Sequence, residues 1–479
     1  MKFRGKKVLV LGLGQLGGGV AVTNWLLSQG ASVTVTDLKD DKALSASVRN
    51  VTAYLKRSAP DGAAYAEASS RLTWALGGHD SAMIRDNGII MVNPDVPLSS
   101  PFVQEAYALG KTVVNEAGVF YGLWKGPTVG ITGTRGKTTT ATWTGHLLSG
   151  HRKTVVTGNS TVRPFLTVLD ANDRATVAVT ELPSFLLEHF SAAPDIAVVT
   201  NLYRDHLNRY RDFEHYARTK AAVFTGQGPR NHCIMNADDD WTPFMMGLGP
   251  KAKVWQVSSG PLKDGRGLYA DRGWLWFLSG GMAERVVQTG DFARMHGAHN
   301  FRNLLTSALA AHLAGCPWPV IAQRIGTLPG VPYRQETVYR SGKLTVVNDT
   351  CATSPDGGIA ALERFGGPNC ILITGGTDRA LEYGAWAKSL VRHVKPENTI
   401  FLAGSATDKM RKALKRSALG RRTYDSLEAC FAAALERARY FVNATVLFSP
   451  ASKSFEKFRN EYDRGQQFNA LVKTHVRAR

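Results

Sequence analysis

The chain has 479 residues, too many for one hydrophobic core, so about two to four domains are expected. Hydrophobic residues at 44% and charged residues at 20% exclude a disordered or fibrous chain. Lys+Arg 58 against Asp+Glu 39 gives a net charge of +19, which favours anionic partners such as nucleotides, nucleic acid or lipid without choosing among them.

Five scattered cysteines with no CxxC spacing suit a reducing compartment and argue against a disulfide framework or a zinc knuckle. The N-terminus MKFRGKKVLVLGLG is basic and then apolar, but its apolar run is short and broken by glycine, with no small-residue cleavage site. No apolar stretch is long enough to span a bilayer, so a cytoplasmic location is expected.

Residues 1–125 open with the strand KKVLVLGLG, the helix VAVTNWLLSQG and the strand SVTVTD, a βαβ unit, and NGIIMVNPDVP and KTVVNEA read as further buried strands. Gly12, Gly14 and Gly17 form GLGQLG after the first strand, and Asp37 ends the second. This spacing fits a dinucleotide fingerprint, with NAD as one reading. The favoured reading is a related αβ domain that uses the turn for another nucleotide, because a second phosphate loop lies downstream.

That second loop is GITGTRGKTTT, residues 130–140, between an apolar, β-branched run and the helical segment ATWTGHLLS. Gly133 and Gly136 let the backbone curl close to phosphate, and the N–H groups of Thr134 and Thr139 lie within the same turn and helix start. Lys137 supplies a mobile cation and the Thr138 hydroxyl a Mg²⁺ ligand. Ile131 stands where the general motif has glycine.

In residues 126–325 the runs KTVVTG, ATVAVTEL and IAVVTNL alternate with helical segments and predict a parallel sheet. Glu181, Asp205 and His206 fall just past strands, where open α/β sheets gather their ligands. Glu181 and His206 can therefore face the phosphates beside Thr138. Lys220 lies on the helical segment HYARTKAAVF and by itself reads as an exposed lysine. Asn300 and Asn303 fall on one face of a helix, suited to adenine or ribose contacts or to helix capping. GLYADRGWLWFLSGG predicts a small antiparallel insertion.

Residues 326–479 repeat the theme with KLTVVND, CILITGG, TIFLAG and ATVLFSP, after the Pro/Gly-interrupted hinge LPGVPYRQE. The basic cluster KMRKALKRSALGRR reads as a solvated helix face, with a nucleic-acid or membrane footprint as the alternative.

In this order the motifs TGTRGKTT, ELPSFLLE, NLYRDHLNRY, YARTK, NADD, GAHNFRN, NDTCAT and SPASKSFEKFRNEYDRG resemble the Mur ligases of peptidoglycan synthesis over nearly the whole length. The ELPSF and SPASxSF elements point to the D-glutamate-adding branch, and the family's TGTxGK[ST] form explains the loop spacing. The resemblance implies an α/β protein of three domains. These are an N-terminal Rossmann-like UDP-binding domain (1–125), a central P-loop ATPase-type parallel-sheet domain with the small antiparallel insertion (126–325), and a C-terminal Rossmann-like amino-acid-binding domain (326–479).

It implies ATP-dependent amide formation through an acyl phosphate, with UDP-N-acetylmuramoyl-L-alanine, D-glutamate and ATP as substrates, and Mg²⁺ at two sites. Gln15, Leu16, Asp37, Leu38, Lys39, Asn159 and His206 match UDP-substrate positions. Gly133, Thr134, Gly136, Lys137, Thr138, Thr139, Asn300, Asn303, Arg334 and Asp349 match ATP contacts. Lys137, His206 and Lys220 are the implied catalytic residues, with Lys220 carbamylated. Thr138, Glu181, His206 and Lys220 hold metal, and Thr353, Arg379, Ser454 and Phe455 hold D-glutamate. Arg334 and Asp349 flank the hinge, so domain closure is expected to assemble the site. A monomer that binds no nucleic acid is expected.

The chain departs from the family pattern at Cys351 and Arg379, where lysine is usual, at Glu461, where an aromatic residue is usual, and at NPDVP, which replaces a Ser-Pro-Gly-type turn. The alternatives are a Mur-type ligase with another amino-acid acceptor and a Mur-like binding protein that has lost catalysis. Intact Lys137, Thr138, Glu181, His206 and Lys220 argue against the second.

Overall fold

A computed structural model of the chain describes residues 2–476 apart from Leu16, Pro60 and residues 159–162, 206–208 and 419–421. Its strands, in chain order, are β1 (Lys7–Leu11), β2 (Ser32–Asp37), β3 (Leu72–Leu76), β4 (Ile89–Val92), β5 (Thr112–Val114), β6 (Thr128–Thr132), β7 (Thr154–Gly158), β8 (Val177–Glu181), β9 (Ile196–Val199), β10 (His232–Asn236), β11 (Lys253–Ser258), β12 (Gly267–Asp271), β13 (Trp274–Ser279), β14 (Met282–Gln288), β15 (Glu336–Arg340), β16 (Leu344–Asn348), β17 (Cys370–Thr374), β18 (Thr399–Leu402), β19 (Arg422–Tyr424) and β20 (Ala444–Phe448). They form three sheets, ordered β3-β2-β1-β4-β5, β14-β13-β12-β11-β10-β9-β6-β8-β7 and β15-β16-β20-β17-β18-β19.

The first sheet is parallel throughout. The second is parallel from β7 to β12 and turns antiparallel at β12-β13-β14, which is the expected insertion. The third is parallel apart from its edge pair β15-β16. The chain is thus an α/β protein. The apolar runs became central strands because a parallel sheet covered by helices on both faces buries every position; β6 and β9 are buried at each residue.

Two compact units result. One comprises Met1–Gly290 with Asn300–Leu328 and contains the first two sheets; the other comprises Asp291–His299 with Pro329–Arg479 and contains the third. No helix among the described residues is long and apolar enough to cross a membrane. The basic segment begins on a helix, Ser405–Leu414, whose Ala406, Met410 and Leu414 are buried while Lys409 and Lys412 are exposed, and continues in the 3-10 turn Lys415–Ala418.

Within the first unit a buried ion pair ties the two sheets together. Arg209 meets Glu188 through Nε at 2.6 Å and Nη2 at 2.8 Å. It also donates to the carbonyls of Pro94 (2.8 Å) and Val96 (3.1 Å), in the turn that follows β4. Tyr210 donates to the same carboxylate at 2.8 Å, and the Leu98 N–H at 3.0 Å. Burial pushes the Glu188 carboxyl up, but the hydrogen bonds and charge of Arg209 outweigh it and hold the group below its usual range.

Glu188 is only 4% exposed, so removing its partner strands a charge. Arg209→Met is expected to cost about 3 kcal/mol, read as a lower urea midpoint at pH 7. The folded pKa is depressed, so this contribution is complete above the unfolded glutamate value and is lost as pH falls through the folded one. Glu188→Gln should therefore flatten the acid limb of the melting-temperature profile. An Arg209→Met midpoint equal to that of the parent would show that the tie contributes nothing.

Candidate functional site

β6 ends at Thr132, and the helix Lys137–Leu148 begins immediately after the turn, with Gly136 as its N-cap at φ 78°. Positive φ is cheap only for glycine. Gly133 has φ 139°, and a Cβ there would overlap the Thr200 hydroxyl; one on Gly136 would overlap the Asn303 amide. The turn is pinned from the end of β9. Thr134 N–H donates to Asn201 O (2.9 Å), Arg135 N–H to Asn201 Oδ1 (2.8 Å), and the Thr200 hydroxyl to Arg135 O (2.7 Å).

Two lysines converge on this turn. Lys137 folds back and donates to Gly133 O (3.0 Å) and Thr134 O (3.1 Å). Lys220, on the helix Phe213–Thr225, donates to the same Gly133 O at 2.8 Å and sits 4.7 Å from the Tyr216 ring centroid. Lys220 is 1% exposed, contrary to the reading of it as a surface lysine: it falls on the buried face of its helix with Tyr216, Ala217 and Ala221. Burial, then the charge of Lys137, drives its pKa well below the usual lysine value. The Tyr216 hydroxyl lies 3.1 Å from Thr134 Oγ1.

Glu181, at the end of β8, accepts from the Thr138 hydroxyl at 2.8 Å. Asp205 pairs with Arg135 at 2.9 Å. Asn303 donates to Asn300 at 3.2 Å on the helix Ala298–Leu313, so the two amides do share a face. The structure thus brings Gly133, Thr134, Gly136, Lys137, Thr138, Glu181, Lys220 and Asn303 together, with Thr139 buried one step into the helix. Pro183 has a plain role: as N-cap, with φ −65°, it starts the short helix Ser184–Leu187.

At the N-terminal turn Asp37 caps the backbone. One oxygen accepts from Leu13 N–H (2.9 Å) and Gly14 N–H (3.0 Å), the other from Lys39 N–H (2.9 Å). Lys39 reaches Gln15 at 3.0 Å, and Leu38 is 73% exposed. Leu16, Asn159 and His206 lie outside the described residues.

In the second unit Asp349 is buried and accepts from the Ser449 hydroxyl (2.7 Å) and Gln335 N–H (3.0 Å), beside Arg334. Burial pushes its carboxyl up to about 7 despite these bonds. The exposed Arg379 guanidinium lies 5.1 Å from the centroid of the Phe455 ring, next to the buried Ser454. Thr353 follows Cys351 in a turn fastened to the 452–453 segment by Arg464.

Residues 6–115 match the Mur ligase MurD-like N-terminal domain and residues 131–311 the Mur ligase middle domain. The UDP-N-acetylmuramoylalanine–D-glutamate ligase of Roseiflexus sp. (strain RS-1) is 33% identical, covering 99% of this chain and 100% of that protein. The like-named enzyme of Geobacter metallireducens is 31% identical over 98% of both. The chain belongs to the Mur ligase family. Among solved structures, the MurF ligase of Thermotoga maritima in complex with ADP superposes with a TM-score of 0.58 at 16% identity, covering 100% of this chain and 96% of that one. UDP-N-acetylmuramate–alanine ligase MurC of Thermotoga maritima gives 0.56 at 17% identity, covering 98% and 99%. At such identities these two show the shared fold.

Within this Mur ligase, residues that sequence reasoning missed hold the site in shape. Thr200 and Asn201 brace the phosphate loop; their position at a strand end was the available signal. Arg464 lies in the motif SPASKSFEKFRNEYDRG but was not singled out, because a charged residue in a polar helical segment reads as surface.

The Lys220 amine is costly at neutral pH. Its folded pKa is depressed, so the folded state binds fewer protons and gains stability as pH rises from the folded value to the unfolded one. Lys220→Met is therefore expected to raise the melting temperature at pH 7 by several degrees, at about 2–4 °C per kcal/mol, and to remove that alkaline rise. An unchanged or lower melting temperature would show that the buried amine is fully compensated.

Proposed function

We propose that this chain is an ATP-dependent ligase that joins D-glutamate to UDP-N-acetylmuramoyl-L-alanine. The observation that carries the reading is the convergence of Lys137, Thr138, Glu181 and Lys220, from three separate segments, on the turn around Gly133. In the reaction the substrate carboxylate attacks the γ-phosphoryl group of ATP, giving an acyl phosphate and ADP. The D-glutamate amine then attacks the acyl carbon, phosphate leaves, and the amine gives up a proton. Such chemistry needs charge placed beside the transferring phosphoryl group and water kept away from the acyl phosphate.

In this reading residues 1–125 hold the UDP moiety through Gln15, Asp37, Leu38 and Lys39, together with Leu16. Residues 126–325 hold ATP through the phosphate loop and the Asn300–Asn303 amide pair. Residues 326–479 supply Arg334 and Asp349 to the nucleotide and Thr353, Arg379, Ser454 and Phe455 to the acceptor. Asn159 and His206 complete the muramoyl-alanine contacts.

The oxygens of Thr138 and Glu181, 2.8 Å apart, suit a hard cation, and Mg²⁺ there would offset phosphate charge. Lys220 fits carbamylation, because only a neutral amine adds CO₂ and burial eases the loss of this one's proton. The resulting carbamate would turn a buried amine into an oxygen ligand, which with His206 would hold a second metal.

A second reading, a different amino-acid acceptor, is favoured by Cys351 and Glu461. Together they remove one cation and add one anion in the segments that carry the acceptor residues, which disfavours a dicarboxylate. An end-point assay with UDP-N-acetylmuramoyl-L-alanine, ATP and a panel of amino acids decides between them. Product mass is expected to increase by one glutamyl residue with D-glutamate and not with L-glutamate. Product only with another amino acid would establish the second reading, and ADP release independent of the UDP substrate would overturn both.

Lys220→Ala is expected to lose turnover by a factor of about 100 or more and to regain part of it with millimolar acetate or formate, which can occupy the carbamate position. The absence of rescue across the full range of acid concentrations would remove the carbamate from the mechanism.

A further inference from the structure

Arg464, on the helix Glu461–Val476, is fully buried, and nothing in the ligation chemistry above uses it. Its guanidinium donates four hydrogen bonds: Nε to Thr350 Oγ1 (2.9 Å), Nη2 to Thr350 O (2.8 Å) and Ser452 O (3.2 Å), and Nη1 to Lys453 O (3.0 Å). The Thr350 hydroxyl passes the contact on by donating to Glu461 O at 3.1 Å. Every acceptor is neutral. Burial lowers the guanidinium pKa to about 10, which leaves it a cation at neutral pH. The charged or ionisable groups that face it are Glu461 one turn back on its own helix, Asp349 beyond β16 and the Cys351 thiol.

A buried cation held only by dipoles is an expensive fastener, because hydrophobic packing would join two turns at lower cost. What the guanidinium adds is a planar fork that fixes direction. It fixes the two turns that bear Thr353 on one side and Ser454 on the other. The Ser452 and Ser454 hydroxyls are buried and have no hydrogen-bond partner, which costs about 1–3 kcal/mol each. The surroundings leave the turns little freedom. Gly376 has φ 137°, and a Cβ there would lie 2.7 Å from Lys453 O and 2.8 Å from Ser452 Oγ. A Cβ on Gly465 would lie 2.6 Å from Thr350 Cγ2.

We propose that Arg464 is a positioning residue for the acceptor amino acid: it locks the 350–353 turn to the 452–454 turn and so holds the Ser454 hydroxyl ready to donate to an acceptor carboxylate. This rests on the reading of these residues as the acceptor site.

The test is steady-state kinetics on the full chain carrying Arg464→Lys, with Thr350→Val as the second variant, alongside melting temperatures. Arg464→Lys is expected to raise KM for D-glutamate by about tenfold, equivalent to about 1.4 kcal/mol, with kcat and the KM values for ATP and UDP-N-acetylmuramoyl-L-alanine within about twofold. Thr350→Val, which removes one acceptor, should shift the same KM in the same direction by less. A fall in kcat with KM for D-glutamate unchanged, or an equal rise in all three KM values, would overturn the proposal. If Arg464→Lys does not fold, an unchanged D-glutamate KM in Thr350→Val overturns it. If the parent enzyme uses another amino acid, the functional reading fails, and the same comparison on that amino acid still tests Arg464.

Discussion

The Gly133 carbonyl carries the site, because it accepts from two lysine amines at once, Lys137 at 3.0 Å and Lys220 at 2.8 Å. Two ammonium groups that close, one fully enclosed, would repel strongly. The arrangement favours loss of the Lys220 proton, because burial and the neighbouring Lys137 both lower its pKa. The Lys220 amine donates to the turn from the helix Phe213–Thr225, and Lys137 donates to it from the helix that the turn leads into. Gly133 and Gly136 let the chain make the turn, and Thr200 and Asn201 keep it there. Each of these residues loses its purpose if the carbonyl moves.

What was legible in the sequence followed from periodicity. Continuous β-branched runs such as SVTVTD and CILIT became interior parallel strands, since only a strand covered on both faces is apolar throughout. The strands not singled out lack that signature. β3 is half-exposed over most of its length, β10 begins with His232 and ends with Asn236, and β19 has three residues, two of them exposed. The meeting of Glu181 and Thr138 was legible, because one ends a strand and the other opens the helix after the neighbouring strand. Lys220 was not legible from its own surroundings. A lysine on an amphipathic helix reads as solvated, and only the packing of Tyr216 and Ala217 beside it shows that it faces inward.

The turns around Cys351 and Ser454 show how a tertiary arrangement places cations where a lysine is missing. Cys351 brings no cation, yet it lies in a turn that Arg464 fastens from within, so a positive charge remains close by although it points at carbonyls. Arg379 lies over the exposed Phe455 ring, which orients the planar guanidinium and leaves its N–H edge to face outward from the ring. The cationic groups here are two planar guanidiniums, Arg379 and Arg464, each held in a fixed direction. A carboxylate ligand would therefore be recognised by orientation more than by bulk attraction.

The two glycine-rich turns of the first unit make the same point about charge. Both follow a parallel strand and both lead into a helix, so composition alone assigns each a phosphate. In the first, Asp37 occupies the turn and takes the N–H groups of Leu13 and Gly14. An anionic phosphate at that centre would meet a carboxylate at hydrogen-bond range, and the turn presents its exposed rim, Leu38 and Lys39, instead. In the second, the residues inside the curl are lysines bonded to its carbonyls, while Glu181 is turned to Thr138 and Asp205 to Arg135. A negative ligand there meets amine donors in place of a carboxylate. The backbone geometry of the two turns is alike; the sign of the side chain that reaches in decides which of them can hold a polyphosphate.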